Sequence, residues 1–439
     1  MKKIFIWFGT WPEQIIFHQA TLLYNFFLIN GYTLVKEAKL ADVIFLCWYP
    51  FNNHEETRVL LTLNYYLKKY PNTDIIAFWH LADMIQGMNE FWKLKVIWLY
   101  QSKRINTLFP HTIPIEEIHV ENYRFFIPLK IDNLYIWDFW YDISIKTNYI
   151  LREDELNISI DTLRNWEVSI SWIEEYEEKY CYLEDKTTNI YIQTSYGCAF
   201  KCSYCVINSV WWVISRPMDE ILKQIQKWIE AGKKSVYIVD QDSGSYGIDI
   251  WLDFADLLNK INKIPWDFDI RIYYFEPSRF LKLYKKINVD ILTRRLAFLN
   301  IPIQTTSQRI LTLMNRNYDI TEVLNIIRKL RRINMRIRLE TIVMYGFPTE
   351  TYDEFMEYPK ILPYFDHIEF LRYSERPWTK SVKLWGKILH ADIEKRFLIM
   401  WKLKDKFPTK IAKQNWNNNQ KNKKLFARFT KARIPCERK

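Results

Sequence analysis

The 439-residue sequence predicts an α/β protein made of two parallel-sheet units in series, the second an open, partial (β/α)6 barrel. Three observations carry this. Short apolar runs alternate with stretches of helical spacing through the first hundred residues. Six strand-like runs follow from Asn189 onward, most of them separated by helical patterns. A loop with three cysteines, Cys198, Cys202 and Cys205, directly follows the first of those six. A full eight-unit barrel needs more chain than is available.

In the first unit, Lys3–Phe8, Asp42–Cys47, Thr73–Trp79 and Lys95–Tyr100 read as strands, and His18–Asn30 and Glu55–Lys69 have helical spacing. Alternation of this kind implies a parallel sheet with helices on its faces. From Phe109 to Lys186 the rhythm is lost; the segment reads as an irregular connector with one helical pattern around Leu163–Lys179. The second unit opens with the strand Asn189–Thr194, which delivers the cysteine loop. Pro217 then starts a helix whose apolar residues Ile221, Leu222, Ile225, Trp228 and Ile229 share one face, and Gly232 ends it. Five more strands follow, Ser235–Val239, Asp269–Phe275, Leu296–Ile303, Arg336–Tyr345 and His367–Tyr373, with helical patterns such as Ile250–Ile261 and Glu322–Ile333 between them. The domain organisation predicted is 1–108, connector 109–186, barrel 187–400 and a basic tail 401–439.

That tail is where the charge lies. Of 62 basic and 51 acidic residues, Trp401–Lys439 holds 13 and two; removing them leaves 49 of each, so a +11 segment hangs on a neutral body. A basic end suggests a polyanionic partner, most simply RNA, with a solvated tail as the competing reading. Nineteen Trp, 28 Tyr and 27 Phe are spread along the chain, so they mark no single stacking stripe. No charged-then-apolar leader precedes the first strand and no run of about 18 apolar residues occurs, which predicts a cytoplasmic address and no membrane partner. The six cysteines form no disulfide framework, and a metallated thiol loop needs reducing surroundings.

The run Tyr196-Gly-Cys-Ala-Phe-Lys-Cys-Ser-Tyr-Cys205 has the spacing C-x3-C-x2-C, three ligands where a cubane iron–sulfur cluster takes four. Three close thiolates leave one iron with an open position, and open positions mark catalytic metal sites. Zinc and three buried thiols are the competing readings. Zinc favours paired C-x2-C units, whereas the remaining cysteines, Cys47, Cys181 and Cys436, are scattered.

Further strings follow the strands: Asp240-Gln-Asp-Ser-Gly-Ser-Tyr-Gly-Ile-Asp249, Ile301-Pro-Ile-Gln-Thr-Thr-Ser307, Met314-Asn-Arg-Asn-Tyr318, Gly346-Phe-Pro-Thr-Glu-Thr351 and Tyr373-Ser-Glu-Arg-Pro-Trp-Thr379. The cysteine loop resembles the signature loop of the radical S-adenosylmethionine (SAM) enzymes. With the other strings in order, the chain resembles the radical SAM methylthiotransferases, which modify tRNA adenosines or a ribosomal-protein aspartate. Ala41-Asp-Val-Ile-Phe-Leu, Glu55-Glu56 and Asp74-Ile-Ile-Ala-Phe resemble that family's first domain. The likeness spans roughly residues 1–100 and 187–380. It implies a Rossmann- or flavodoxin-like first domain, a radical SAM partial (β/α)6 barrel, a [4Fe–4S] cluster and SAM.

Residue roles follow from the resemblance. Cys198, Cys202 and Cys205 would hold the cluster, with Tyr204 near the adenine of SAM. Asp240 and Gln241 stand where the superfamily holds the SAM amino group, a polar turn being the alternative. Gln304 and Ser307 are candidates for the ribose or the substrate. Arg216 could pair with the SAM carboxylate or be a surface arginine beside a helix start, and Arg376 shares that ambiguity. In Gly346–Thr351 the glycine and proline shape a turn and start a helix, and Thr349 stands where the family usually has glycine.

Two departures qualify the likeness. The family's second cluster is held by three cysteines after the first three strands, and those positions read Thr10, Tyr49 and His80. Cys47 lies two residues early, on the strand itself, where it reads as a core thiol; a site from Cys47, His80 and His54 is the alternative. Residues 401–439 do not read as the family's C-terminal RNA-binding barrel, although Trp401, Phe407, Trp416, Phe426 and Phe429 interleave with basic residues that could track a phosphate backbone. The expectation is an enzyme that cleaves SAM to a 5′-deoxyadenosyl radical and modifies a C–H bond of RNA (tRNA) or of a polypeptide. Methylthiolation would be the inherited reaction, and methylation, crosslinking or dehydrogenation the repurposed ones. A low-potential donor such as flavodoxin or ferredoxin would supply electrons. A cobalamin-dependent variant lacks its Asp-x-His-x-x-Gly string here, and a non-catalytic scaffold is opposed by the intact cysteines.

Overall fold

The structure, a computed structural model, describes residues 2–8, 14–47, 63, 65–78, 95–97, 103–118, 124–128, 180–184, 189–205, 212–376 and 379–404. The helix read at Leu163–Lys179, the family's cysteine positions Thr10, Tyr49 and His80, and nearly all of the basic tail lie outside them.

The first unit comprises β1 (Lys3–Phe8), α1 (Gln14–Ile29), β2 (Thr33–Leu34), β3 (Val43–Cys47), β4 (Asp74–Phe78), β5 (Lys95–Ile97) and α2 (Arg104–Leu108). Its strands form one parallel sheet in the order β2-β1-β3-β4-β5. Ile4–Trp7 and Val43–Cys47 are buried at every position, as in strands covered on both faces. Phe27 of α1 closes one side, its ring 5.2 Å from those of Tyr32 and Phe45 and 5.0 Å from that of Phe109. Burying each such ring is worth about 1.5–3 kcal/mol.

The connector contains two strands that the sequence does not suggest. β6 (Arg124–Pro128) and β7 (Tyr180–Glu184) pair antiparallel. Pairing between strands some fifty residues apart leaves no local signal in the sequence, which is why the segment reads as irregular.

The second unit holds β8 (Asn189–Ile192), the small antiparallel pair β9 (Ser195–Tyr196) and β10 (Ile214–Ser215), α3 (Met218–Glu230), β11 (Ser235–Ile238), α4 (Phe254–Ile261), β12 (Asp269–Ile272), α5 (Pro277–Leu283), β13 (Leu296–Asn300), α6 (Gln308–Leu313), α7 (Ile320–Ile333), β14 (Arg338–Tyr345), α8 (Tyr352–Phe355), β15 (His367–Arg372) and α9 (His390–Lys404). β8, β11, β12, β13, β14 and β15 lie side by side in that order, all parallel: the predicted six-stranded partial barrel. Gly232 ends α3 as predicted, at φ +90°, with its N–H on the Ile229 carbonyl and that of Lys233 on Trp228, both 3.0 Å. The helix read from Ile250 begins instead at Phe254. A turn closed by Leu252 N–H on the Gly247 carbonyl (2.9 Å) comes first, and Asp253 and Asp256 then form a reciprocal cap. α9 runs through the predicted boundary at residue 400 to Lys404.

Alternation along the strands sorts the two faces of the barrel. Ile190, Ile192, Val236, Ile238, Ile270, Ile272, Leu299 and Leu339 pack with the helices, so their neighbours line the concave side. There the register sets Tyr191, Tyr237, Arg271, Phe298 and Arg338 in one row. The first unit's core continues into Tyr191 and Val239 and packs on Tyr237 and Tyr273, and Gln19 of α1 donates to Gln193 just past β8. Among the described residues no helix is long and apolar enough to cross a membrane.

Candidate active site

The C-terminal ends of the six strands carry the candidate residues, as parallel α/β folds require. The cysteine loop is held from three sides. From β11, Asp240 accepts the N–H groups of Thr194 (2.7 Å) and Ser195 (3.0 Å) and the Thr194 hydroxyl. Gln241 Oε1 accepts Gly197 N–H at 2.5 Å. Asp242 accepts the Ser245 hydroxyl (2.5 Å), whose oxygen accepts Ala199 N–H (3.1 Å), and also binds the N–H groups of Glu276 (2.9 Å) and Gly244 (3.2 Å). Burial outweighs these bonds and pushes both Asp240 and Asp242 up to about 6 from 3.8.

The turn after α6 holds the second side. Ser203 N–H donates to the Met314 carbonyl (2.9 Å), the Ser203 hydroxyl to Leu313 O (2.8 Å) and the Asn315 amide to Lys201 O (2.7 Å). From the loop after β15, Ser381 N–H meets the Ser203 carbonyl at 2.8 Å. Gly197, one residue before Cys198, sits at φ +81°, and a Cβ there would lie 2.4 Å from the Trp212 carbonyl oxygen. Only glycine fits that approach.

Cys198, Cys202 and Cys205 are in no disulfide. Burial, then the Asp242 charge and the other two sulfurs, push the Cys198 thiol well up; burial raises Cys202 against the pull of Arg316. Deprotonating Cys198 and Cys202 together therefore demands a compensating cation, which iron ligation would supply. Among the described residues no group of three or more His, Cys, Asp or Glu side chains is drawn together tightly enough for a single ion. Three thiols at C-x3-C-x2-C spacing on one short loop are a donor set that fits three corners of a four-iron cube. Cys47, by contrast, is 2% exposed inside β3, and burial pushes its thiol far up, as a core residue.

The remaining candidates divide. Gln304 is buried at φ +62°, its backbone bridged to β14 through Ile342 O (2.8 Å) and Met344 N–H (2.7 Å), and its Oε1 has no hydrogen-bond partner. Thr306 Oγ1 and Ser195 Oγ are likewise buried and unsatisfied. Buried acceptors left open next to strand C-termini suit a polar ligand. Tyr204 packs beside Ile310, Met314, Met344, Phe347 and Tyr373. Arg376 is buried, its carbonyl accepting both N–H (3.2 Å) and hydroxyl (2.8 Å) of Thr379.

Three candidates have structural work in this geometry. Ser307 caps α6 through Ile310 N–H (3.2 Å) and donates to Glu354 (2.6 Å). Arg216 spends its two terminal nitrogens on the Gln193 carbonyl (2.8 Å) and Gln224 Oε1 (2.9 Å). Asp240 is occupied by the strand-end groups already described. In the Gly346–Thr351 string, Gly346 takes φ +79° and Thr351 starts α8 with a reciprocal cap on Glu354, the turn-and-helix role read from the sequence. Thr349 takes φ +70°, a conformation glycine favours; Arg309 steadies it through Thr349 Oγ1 (3.0 Å) and O (2.8 Å).

Sequence reasoning missed Asp242, Ser245, Glu276 and Arg316. Arg316 stood in a quoted string without a role, and a lone charge between Met314 and Tyr318 was the available signal. Its guanidinium is buried and donates to Cys202 Sγ (3.7 Å), Tyr204 OH (3.2 Å) and Pro302 O (2.8 Å), with Glu276 3.5 Å away.

Comparison with known proteins agrees with this geometry. Residues 192–360 match the Radical SAM superfamily. The ribosomal protein uS12 methylthiotransferase RimO of Thermosipho africanus is 30% identical over 236 residues, covering 52% of this chain and 54% of that protein. RimO of Thermosipho melanesiensis is 32% identical over 212 residues, 47% and 49% of the two chains. The chain thus spans about half the length of the curated relatives it matches. The radical SAM methyltransferase TsrM from Kitasatospora setae superposes with a TM-score of 0.48 at 11% identity, covering 87% of this chain and 74% of that one. Residues 192–360 are therefore a radical SAM domain, of the kind that takes a [4Fe–4S] cluster and SAM, and about half of the chain is similar to the radical SAM methylthiotransferases.

Proposed function

We propose that the barrel cleaves SAM reductively and uses the resulting 5′-deoxyadenosyl radical to abstract hydrogen from an unactivated C–H bond of a polypeptide. The cysteine loop supports this best: three thiols at C-x3-C-x2-C spacing on a loop held by hydrogen bonds from the end of β11, the turn after α6 and the loop after β15. Cys198, Cys202 and Cys205 would hold the cluster, which when bound supplies the electron that breaks a sulfur–carbon bond of SAM. Gln241, Asp242 and Ser245 fix the loop's backbone, and Asp240 fixes the strand end that delivers it. Gln304, Thr306 and Ser195 offer open acceptors to the hydroxyl and amino groups of SAM, Tyr204 provides an apolar wall for its adenine, and Arg376 lies in the loop that closes over Ser203.

A polypeptide is favoured over tRNA because the matching relatives act, by name, on a ribosomal protein. The +11 segment 401–439 suits a target presented close to RNA. Flavodoxin or ferredoxin in a reducing cytoplasm would deliver the electron. Sulfur insertion lacks support: the first unit has no thiol at the family's three positions, and Cys47 is sealed in β3. Methylation, crosslinking or dehydrogenation is accordingly the expected outcome. The test is 5′-deoxyadenosine formation by anaerobically reconstituted protein with SAM and dithionite. Product that disappears on replacing the three cysteines by alanine supports the reading. No product from wild-type protein with a full cluster would leave a scaffold.

A further inference from the structure

We propose that Arg316 and Glu276 set the reduction potential of the cluster on the cysteine loop, Arg316 raising it and Glu276 lowering it. This deepens the function proposed above and rests on it. Arg316 sits on the turn that also binds Ser203 and Lys201, so its position relative to the loop is fixed by backbone and not by its own side chain alone. The guanidinium is oriented by Pro302 O at 2.8 Å, by Tyr204 OH at 3.2 Å and by the Tyr318 ring 5.6 Å away, which aims one N–H at Cys202 Sγ. Arg316 Nε is buried and makes no hydrogen bond.

A cation at this depth has lost most of its hydration, and only a strong local gain retains it. Glu276 offsets part of the charge at 3.5 Å, but its other oxygen is committed to the start of α5, accepting the N–H groups of Ser278 (2.7 Å) and Arg279 (3.1 Å). Three thiolates on one cube leave an anionic site, and an added electron makes it more so. An N–H donated to a ligating sulfur, and a fixed positive charge in a low-dielectric, unscreened place, both stabilise the reduced state more than the oxidised one. A neighbouring carboxylate does the reverse. The incoming electron comes from dithionite in the assay, or from a one-electron carrier protein.

The experiment is an EPR-monitored redox titration of the full chain, anaerobically reconstituted, comparing wild type with Arg316→Met, Arg316→Lys and Glu276→Gln. The midpoint should move negative in Arg316→Met, less so in Arg316→Lys, and positive in Glu276→Gln. With a reductant poised near the wild-type midpoint, 5′-deoxyadenosine formation in Arg316→Met should drop about 10–100-fold, the usual range for residues behind a metal ligand, and recover with a stronger reductant. A structural Arg316 would lower iron content and melting temperature while retained clusters kept the wild-type midpoint, and that result overturns the proposal. If Arg316→Met does not fold, the Lys and Gln variants decide, and unmoved midpoints in both also overturn it. Wild-type protein that binds no cluster refutes the underlying function instead, so the two failures are distinguishable.

Discussion

The two sheets share one architecture and differ in what lies past their strands. Past the opening Lys3 of β1 and Asp74 of β4, strands β1, β3 and β4 are apolar, and their core is built from rings such as Phe27, Phe45 and Phe109. The barrel strands end in buried polar residues: Asp240 and Asp242 after β11, Glu276 after β12, Asn300 and Gln304 at and after β13. Burying carboxylates costs stability unless they are bonded; here Asp240 binds the N–H groups that lead into the cysteine loop, Asp242 binds Ser245, which holds Ala199 N–H of that loop, and Glu276 binds the start of α5 and faces Arg316. The first unit is organised for packing, the second for holding a loop in one shape. That contrast favours chemistry in the barrel, and substitutions in the two sheets should differ accordingly.

Replacing Cys198, Cys202 and Cys205 by alanine should abolish iron binding and SAM cleavage, measured as iron content and 5′-deoxyadenosine, while far-UV circular dichroism stays as in wild type. Cys47→Ala in the first sheet should leave both activity and iron unchanged and cost only about 1 kcal/mol for a small cavity, read from a denaturant melt. Iron loss in Cys47→Ala would erase the contrast.

Two glycines refine it. Gly197→Ala must push its Cβ against the Trp212 carbonyl at 2.4 Å and also take φ +81°, so it should lower cluster occupancy and stability by about 1–3 kcal/mol. Gly232→Ala has φ +90° but nothing within 4 Å, so it should cost about 1 kcal/mol and keep full occupancy.

The carboxylates give a pH signature. Burial holds Asp240 and Asp242 at about 6 in the folded chain against 3.8 for the free group, so the folded state binds their protons more tightly. Their contribution to stability is fully present below the unfolded value and is lost as pH rises through the folded one. Urea unfolding of the metal-free protein should therefore show this contribution shrinking as pH rises from about 3.8 through about 6, and Asp242→Asn should flatten that slope. An unchanged slope in the variant would show that the loop's carboxylates are not the titrating groups. Thr349→Gly should change least: it relieves φ +70° but removes the Oγ1 bond to Arg309, so the net shift in a melt should stay within about 1 kcal/mol.

Both parallel sheets were legible in the sequence because strand residues buried on two faces form continuous apolar runs, as at Val43–Cys47, and because Pro217 and Gly232 punctuate a helix chemically. The cysteines were legible by spacing. Direction was not. Sequence gives no account of whether Asp240 turns toward a ligand or back to Thr194, whether Ser307 caps a helix, or whether Arg216 faces SAM or Gln224, since each depends on where a neighbouring strand end arrives. Arg316 escaped for the same reason: its contact with Cys202 spans 114 residues. The β6–β7 pair escaped because its partners are distant in the chain.

The central claim is one cluster, in the barrel and not in the first sheet. Iron and sulfide quantification on anaerobically reconstituted protein tests it most directly. The account predicts about four irons per chain, all lost with the three cysteines of the loop. About eight, with half surviving that substitution, would mean a second cluster in the first unit and would contradict it.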